Sequence, residues 1–280
     1  NAKLYPNKFV KKISFFLSLI DNDFDCILSL DGKKRSIFGC LISKSKLKIM
    51  TVTKKIYKKI FFNLKDNILF IKDFKSRIDE FKFILKKIDI DFSDKDLDIF
   101  DDEKVMSNLD LINEIPNKSF NQLHLDEKWI TDAYRGKRKL RNFKPINASI
   151  VQMCNFIQEF VEKSRKDLVI SAGAETNVLI DGVKEKFSKN GIFSLNGKKI
   201  IILDNLSFTD LKLVIKKANL IITCHGSPAH IASSFNTKII DIFDEKNLQF
   251  YKFYTNHLRN YKYLYREDFH ILAKNILQLI

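Results

Sequence analysis

The chain has 280 residues, 45% of them hydrophobic and 12% aromatic, enough to build one large or two ordinary domains around real cores. Lysine and arginine number 49 against 34 aspartates and glutamates, a formal charge of +15 that invites nucleic acid or an anionic membrane surface as partner. The cations are spread evenly and interleaved with carboxylates, which reads as solvated faces rather than a nucleic-acid interface, and no run of about 18 apolar residues is present to span a membrane.

In chain order, "ISFFLSLI" after Lys11-Lys12 is too short for a signal-peptide core and has no cleavage pattern; it reads as a buried helical face. The chain begins at Asn1 in what reads as the middle of a domain, so the N-terminal domain is expected to be incomplete. "FDCILSL" (24–30) predicts a buried strand, "RSIFGCLI" a helix and "KLKIMTV" a second strand. "DNILFI" is a further candidate strand, and Phe74, Ile78, Phe81 and Leu85 recur at helical spacing. Residues 89–118 are acidic and irregular up to Pro116-Asn117, where a domain boundary is expected: 1–118 and 119–280.

The second half alternates more cleanly. Strands are predicted at "NQLHL", "DLVISAG", "KKIIIL", "NLIIT" and "TKIIDIF", with helices at 148–164, at "ETNVLIDGVKEKF" despite Gly182, and at "FTDLKLVIKKA" capped by Thr209 or Asp210. Strands separated by helices imply a parallel sheet covered on both faces, a Rossmann-like domain.

Ligands of such sheets sit beyond the carboxyl ends of the strands. That rule selects the turn holding Asp126 to Trp129, the turn Ala172-Gly173-Ala174-Glu175, and the cluster "HGSPAH", His225 to His230. In the cluster Gly226 permits close backbone approach, Ser227 can cap a helix and Pro228 suits its first position; the amides of a helix N-terminus bind phosphate. The plainer alternative is a helix start with two packing histidines. Trp129 can stack on a base or simply fill a core. The triplets at Asp21–Asp23 and Asp89–Asp91 mimic metal-binding aspartates but arise easily in this composition. Cys26, Cys40, Cys154 and Cys224 form no CxxC pair, pointing to a reduced, cytoplasmic setting without a structural zinc. GxGxxG, P-loop, HExxH and GxSxG motifs are all missing, so no dinucleotide, NTPase, zincin or serine-hydrolase chemistry is indicated.

"ANLIITCHGSPAHIASSFNTKIIDIF" resembles, without a gap, the hallmark "ADLVI..DSGPAHLA" of the heptosyltransferase-type glycosyltransferases, family 9. "GAE" at 173–175, "KW" at 128–129 and "FDCILSLDGKKRSIFGCLISKSKLKI" are similar to further segments of that family, so the resemblance covers most of the chain and is faintest across 50–120. It implies an α/β chain of GT-B fold, two Rossmann-like domains facing a cleft, that moves a heptose or related sugar with inversion from a nucleotide-diphosphate donor. No metal or other cofactor is implied. The implied acceptor is a lipopolysaccharide or other anionic surface glycan, reached at the cytoplasmic face of a bacterial inner membrane. Carried over residue by residue, Gly226 and Ser227 would offer amides to the diphosphate and His230 would support phosphate or sugar. Glu175 would meet the nucleoside, and Lys128 would neutralise the leaving group. His225 departs from the family's aspartate, which leaves the donor's identity open. The family's first strand and the turn carrying its base have no counterpart, so Asp31, at the end of "CILSL", is the remaining candidate base; its plainer and favoured reading is a turn aspartate before glycine. Without a base the chain would be a nucleotide-sugar-binding or glycan-binding module, and "HG" also occurs in GT-B enzymes of other lineages.

Overall fold

A computed structural model describes residues 9–31, 33–51, 68–71, 74–93, 119–130, 144–173, 177–187 and 190–280. The chain divides into two compact units, Asn1–Phe92 and Ser93–Ile280. The boundary expected at 118 lies outside the described residues.

In the first unit a three-stranded sheet runs β1 (Cys26–Ser29), β2 (Leu47–Thr51), β3 (Ile68–Ile71), all neighbours parallel. Helices α1 (Phe9–Asp21), α2 (Lys34–Ile42) and α3 (Arg77–Lys86) accompany it. Successive β2 residues point to opposite faces, so Met50 packs with Ile37 and Cys40 of α2 while Ile49 packs with Ile84 of α3. Ser76 caps α3, its hydroxyl accepting the Asp79 amide at 3.1 Å. Two expectations are corrected. Strand β1 is half-buried rather than buried, with Leu28 exposed; among the described residues it pairs only with β2. The α1 face is likewise only partly covered: Phe16 packs edge-on against Phe38, and Leu17 stays exposed.

The second unit carries a seven-stranded sheet. Its strands are β4 (Phe120–His124), β5 (Asp167–Ser171), β6 (Ile192–Leu195), β7 (Lys198–Leu203), β8 (Leu220–Cys224), β9 (Lys238–Phe243) and β10 (Tyr261–Tyr265), in the spatial order β10-β9-β8-β4-β5-β7-β6. Every pair is parallel except β6–β7, whose hairpin turns through Asn196 and Gly197, both at positive φ. The chain winds from β4 out through β5 and β7, then returns to β8 on the other side of β4, placing the topological switch point between β4 and β8. Strand residues alternate between two cores. Leu168, Ile170, Ile200, Ile202 and Ile222 meet α4 (Ile150–Ser164), α5 (Val178–Phe187) and α9 (Phe269–Gln278). Phe120, Val169, Ile201, Ile221 and Ile239 meet α6 (Phe208–Lys217) and α7 (Ser227–Ser234) on the opposite face. A further helix, α8 (Leu248–Thr255), lays Tyr251 on Phe243 at 4.5 Å between ring centres.

Local chemistry explains the boundaries. Ser149 and Gln152 form a capping box at the start of α4, and Arg165 in the left-handed conformation ends it. The cap of α6 is Ser207, not Thr209 or Asp210: its hydroxyl accepts the Asp210 amide at 3.1 Å. Gly182 sits inside α5 because a Cβ there would lie 2.5 Å from the Ile150 side chain; the glycine lets α5 and α4 close on each other.

Candidate functional site

Three turns meet where the sheet predicts a ligand, at the carboxyl ends of β4, β5 and β8, which are adjacent in the order β8-β4-β5. The turn after β4 is a single 3-10 turn, Glu127–Trp129, capped by Asp126, whose Oδ1 accepts the Lys128 amide at 3.0 Å. Trp129 is fully buried and donates its indole N–H to the His124 carbonyl at 2.9 Å, so it fills the core and is not a stacking platform for ligand. Its anchoring aims Lys128 outward from the strand end.

Lys128 is the centre of the arrangement. Its Nζ donates to Asp126 Oδ2 at 2.9 Å and, across to the turn after β8, to the His225 carbonyl at 2.7 Å. An ammonium has three donors, so one remains beyond these two bonds. Burial opposes the charge on Lys128, but the Asp126 carboxylate beside it outweighs that and raises its pKa, so the side chain is cationic at neutral pH. For Asp126 burial is the larger influence and pushes the carboxyl up, against the pull of Lys128 and Arg266. The Lys128 side chain stays 27% exposed.

In the cluster itself, Gly226 is the residue that caps α7, Ser227 is the exposed first helical residue, and Pro228 is buried in the first turn. The expected hydroxyl cap by Ser227 is therefore absent, and Pro228 stands one position later than expected. Among the described residues the Gly226 and Ser227 amides make no backbone hydrogen bond, and Pro228 has none to offer. Gly226 is extended, a conformation open to any residue; its small size matters because a Cβ would lie 2.9 Å from Lys128 Nζ. The close approach expected of Gly226 is thus to the lysine's ammonium group. The result is a cation set beside the N-terminal amides of an eight-residue helix, a combination that attracts anions.

His225 turns inward. Its Nδ1 lies 2.7 Å from Asp241 Oδ2, and its ring packs edge-on against Tyr251 at 4.7 Å and His230 at 5.8 Å. His230, one turn into α7, stacks on His257 at 5.6 Å. Burial first, then the neighbouring His225 and His257, lower its pKa to about 4, so it is neutral at physiological pH.

The turn after β5 is tied to the first by Asn177, which donates to the Leu125 carbonyl at 2.8 Å while its Oδ1 accepts the Leu179 and Ile180 amides at the start of α5. Glu175 lies outside the described residues. Beneath the turns, Gln122 donates to the Ser171 hydroxyl at 2.8 Å, and that hydroxyl lies 3.0 Å from His124 Nδ1. Burial, with Lys128 as the secondary cause, depresses His124 to about 4, so this layer is uncharged. Arg266, just past β10, donates to the Lys128 carbonyl at 2.6 Å, the Lys144 carbonyl at 2.8 Å and Cys224 Sγ at 3.6 Å, bracing the Lys128 turn from behind.

Sequence reasoning placed Asp126 in the candidate turn without its pairing to Lys128, and missed Asp241 and Arg266. Asp126 adjoins Lys128 and was within reach, but Asp241 sits between isoleucines in a strand and Arg266 follows a strand, β10, that was not foreseen. In the first unit, Asp31 follows β1 at its carboxyl end, as expected. Its Oδ1 accepts the Lys33 amide at 3.0 Å, its Oδ2 accepts the Ser36 hydroxyl at 3.0 Å, and Lys33 Nζ stands 3.5 Å away. Partial burial works the other way, but these partners together lower the Asp31 pKa. No group of three or more His, Cys, Asp or Glu side chains placed to hold a metal occurs among the described residues.

No protein-family model and no curated protein matches the chain in sequence. Solved structures match it in fold over nearly its whole length. A family 9 glycosyltransferase from Veillonella parvula is 12% identical, with a TM-score of 0.61 over 98% of this chain and 73% of that one. The E. coli heptosyltransferase WaaC with ADP is 9% identical, with a TM-score of 0.57 over 97% and 78%. The E. coli ADP-heptose lipopolysaccharide heptosyltransferase II is 10% identical, with a TM-score of 0.54 over 96% and 80%. The fold is therefore the mixed α/β, GT-B type expected from the sequence, and it is shared with family 9 glycosyltransferases, heptosyltransferases among them.

Proposed function

We propose that the chain is a glycosyltransferase that binds the diphosphate of a nucleotide sugar at the turns after β4 and β8 and transfers the sugar, with inversion, to a surface-glycan acceptor. The observation that carries this reading is Lys128 Nζ bridging to the His225 carbonyl, beside the amides of Gly226 and Ser227. A departing nucleoside diphosphate leaves as an anion, and a fixed cation with fixed amides stabilises that charge without reorganising at the moment of transfer. Lys128, ion-paired with Asp126, would meet the leaving-group charge together with these amides. His230 lies within reach of the same turn, and Glu175 is assigned to the nucleoside.

The fold neighbours support this choice, since one is named as a complex with ADP and another as an ADP-heptose enzyme. A heptose or related donor and a lipopolysaccharide-type acceptor are the accompanying proposals. Among the described residues no helix is long and apolar enough to cross a membrane, so we infer peripheral contact, through the basic surface, with the cytoplasmic face of the membrane holding the acceptor.

Asp31 favours a second reading for the transfer step. Both Asp31 oxygens accept hydrogen bonds that hold the turn into α2, and its pKa is lowered, which makes it a weaker base than a free carboxylate. We assign Asp31 to that turn, and a binding module without transfer is the alternative to an enzyme. Thermal unfolding against ADP-, UDP-, GDP- and CMP-sugars tests the donor reading, because a bound donor raises apparent stability by mass action. Release of free nucleoside diphosphate in the presence of a glycolipid acceptor separates enzyme from binding module; stabilisation by none of the four donors refutes both.

A further inference from the structure

Asp241 is a carboxylate flanked by isoleucines in strand β9, and it is fully buried. Such a group persists only where donors surround it. Its Oδ2 receives two: the Tyr261 hydroxyl of β10 at 2.9 Å, and His225 Nδ1 at 2.7 Å. Its Oδ1 is buried with no partner among the described residues. Burial, with Asp241 as the next cause, holds the Tyr261 hydroxyl protonated, so the phenol is a donor. A carboxylate only accepts, and the imidazole therefore donates from Nδ1 as well.

The ring has little freedom to do otherwise. Tyr251 packs edge-on against it at 4.7 Å, Phe243 at 6.4 Å and His230 at 5.8 Å. The side chain nonetheless keeps 14% of its surface exposed. The same residue's carbonyl holds Lys128 Nζ, so the imidazole and the ammonium belong to one turn. With Nδ1 committed to Asp241, Nε2 is the ring nitrogen left to meet a ligand there.

We propose that Asp241, assisted by Tyr261, is a positioning residue that locks His225 with its proton on Nδ1 and thereby presents Nε2 to the donor's diphosphate. This rests on the donor-site reading above. The carboxylate itself touches no ligand; it acts through the histidine, as a buried carboxylate does behind any oriented imidazole.

The test is nitrogen-detected NMR of the full chain labelled with 15N in histidine and lysine, titrated with inorganic pyrophosphate, which needs no knowledge of the nucleotide. In the absence of ligand the His225 Nδ1 resonance is expected to be of the protonated type. On saturation Nε2 should shift while Nδ1 keeps its proton. Asp241→Asn should abolish the single-tautomer signature and weaken pyrophosphate binding about tenfold, whereas Tyr261→Phe, which leaves the carboxylate in place, should retain the signature. Should Asp241→Asn fail to fold, the wild-type spectrum and Tyr261→Phe decide the matter. A neutral ring protonated on Nε2 overturns the proposal. So does an unmoved Nε2 resonance when the Lys128 Nζ signal responds to pyrophosphate, and in that case the donor-site reading survives. If neither signal responds, both fall together.

Discussion

Lys128 Nζ donates a 2.7 Å hydrogen bond to the carbonyl of His225, joining two turns 97 residues apart in sequence across the switch point of the sheet. The bond places a cation where the helix α7 amides begin, and it makes the geometry of one turn depend on the other. Consequences for stability and for binding both follow from it.

Replacing Lys128 by Met should remove both hydrogen bonds and leave Asp126 buried beside no ammonium. The expected loss of stability is on the order of 2 kcal/mol, most of it from the uncompensated carboxylate. Asp126→Asn in the same chain should recover part of that loss. Urea unfolding of the two single variants and the double variant measures the coupling, and strictly additive effects would show that the pair is not an interacting unit.

Gly226→Ala should separate binding from folding. The added methyl meets the tip of a flexible side chain rather than backbone, and the extended backbone accepts alanine, so stability should change by less than about 1 kcal/mol. The displaced ammonium should nevertheless cost about tenfold in nucleotide-diphosphate affinity, a change of roughly 1.4 kcal/mol. Calorimetry beside a melting curve reads both quantities.

Gly182→Ala makes the opposite case. Its Cβ would fall 2.5 to 2.9 Å from three atoms of Ile150, at the contact between α5 and α4. Helix propensity favours alanine by about 1 kcal/mol. Overpacking costs about 1–3 kcal/mol, so net destabilisation is expected despite the better helix former. Ile150→Ala in the same chain should relieve it, and a stabilised single variant would show that the interface yields freely.

Much of the second unit was legible because its signals are local and periodic: short β-rich runs alternating with segments of helical spacing. The strands that escaped notice lie at the two edges of the sheet. "IFSL" precedes an Asn-Gly hairpin signal at 196–197 that could have found β6, whereas "YKYLY" carries lysine and tyrosine and reads as a polar segment. That the three turns share the carboxyl edge of one sheet was legible from the alternation of strands and helices alone. The partners within it were not. That Gly226 makes room for Lys128, or that His225 turns inward to Asp241, depends on distances between residues far apart in sequence.

The buried histidines predict an acid response with a definite sign. In the folded chain the pKa of His124 is lowered to about 4, against about 6.5 when unfolded, so between these values the unfolded chain binds the extra proton. Stability from this group is fully present above pH ~6.5 and is lost as the pH falls towards ~4. His230 acts in the same direction. Unfolding at pH 7.5, 5.5 and 4.5 should show a steeper acid loss in the wild type than in His124→Asn, the difference being on the order of 2 kcal/mol at the lowest pH. Equal slopes would mean that His124 takes up its proton alike in the folded and unfolded chains.

The most direct test of the donor site is calorimetric titration of the wild type and Lys128→Met with ADP-, UDP-, GDP- and CMP-sugars. The account predicts saturable one-to-one binding of at least one donor, weakened at least about tenfold in a Lys128→Met chain that remains folded. Failure of every donor to bind the wild type, or equal affinity in both chains, would contradict it.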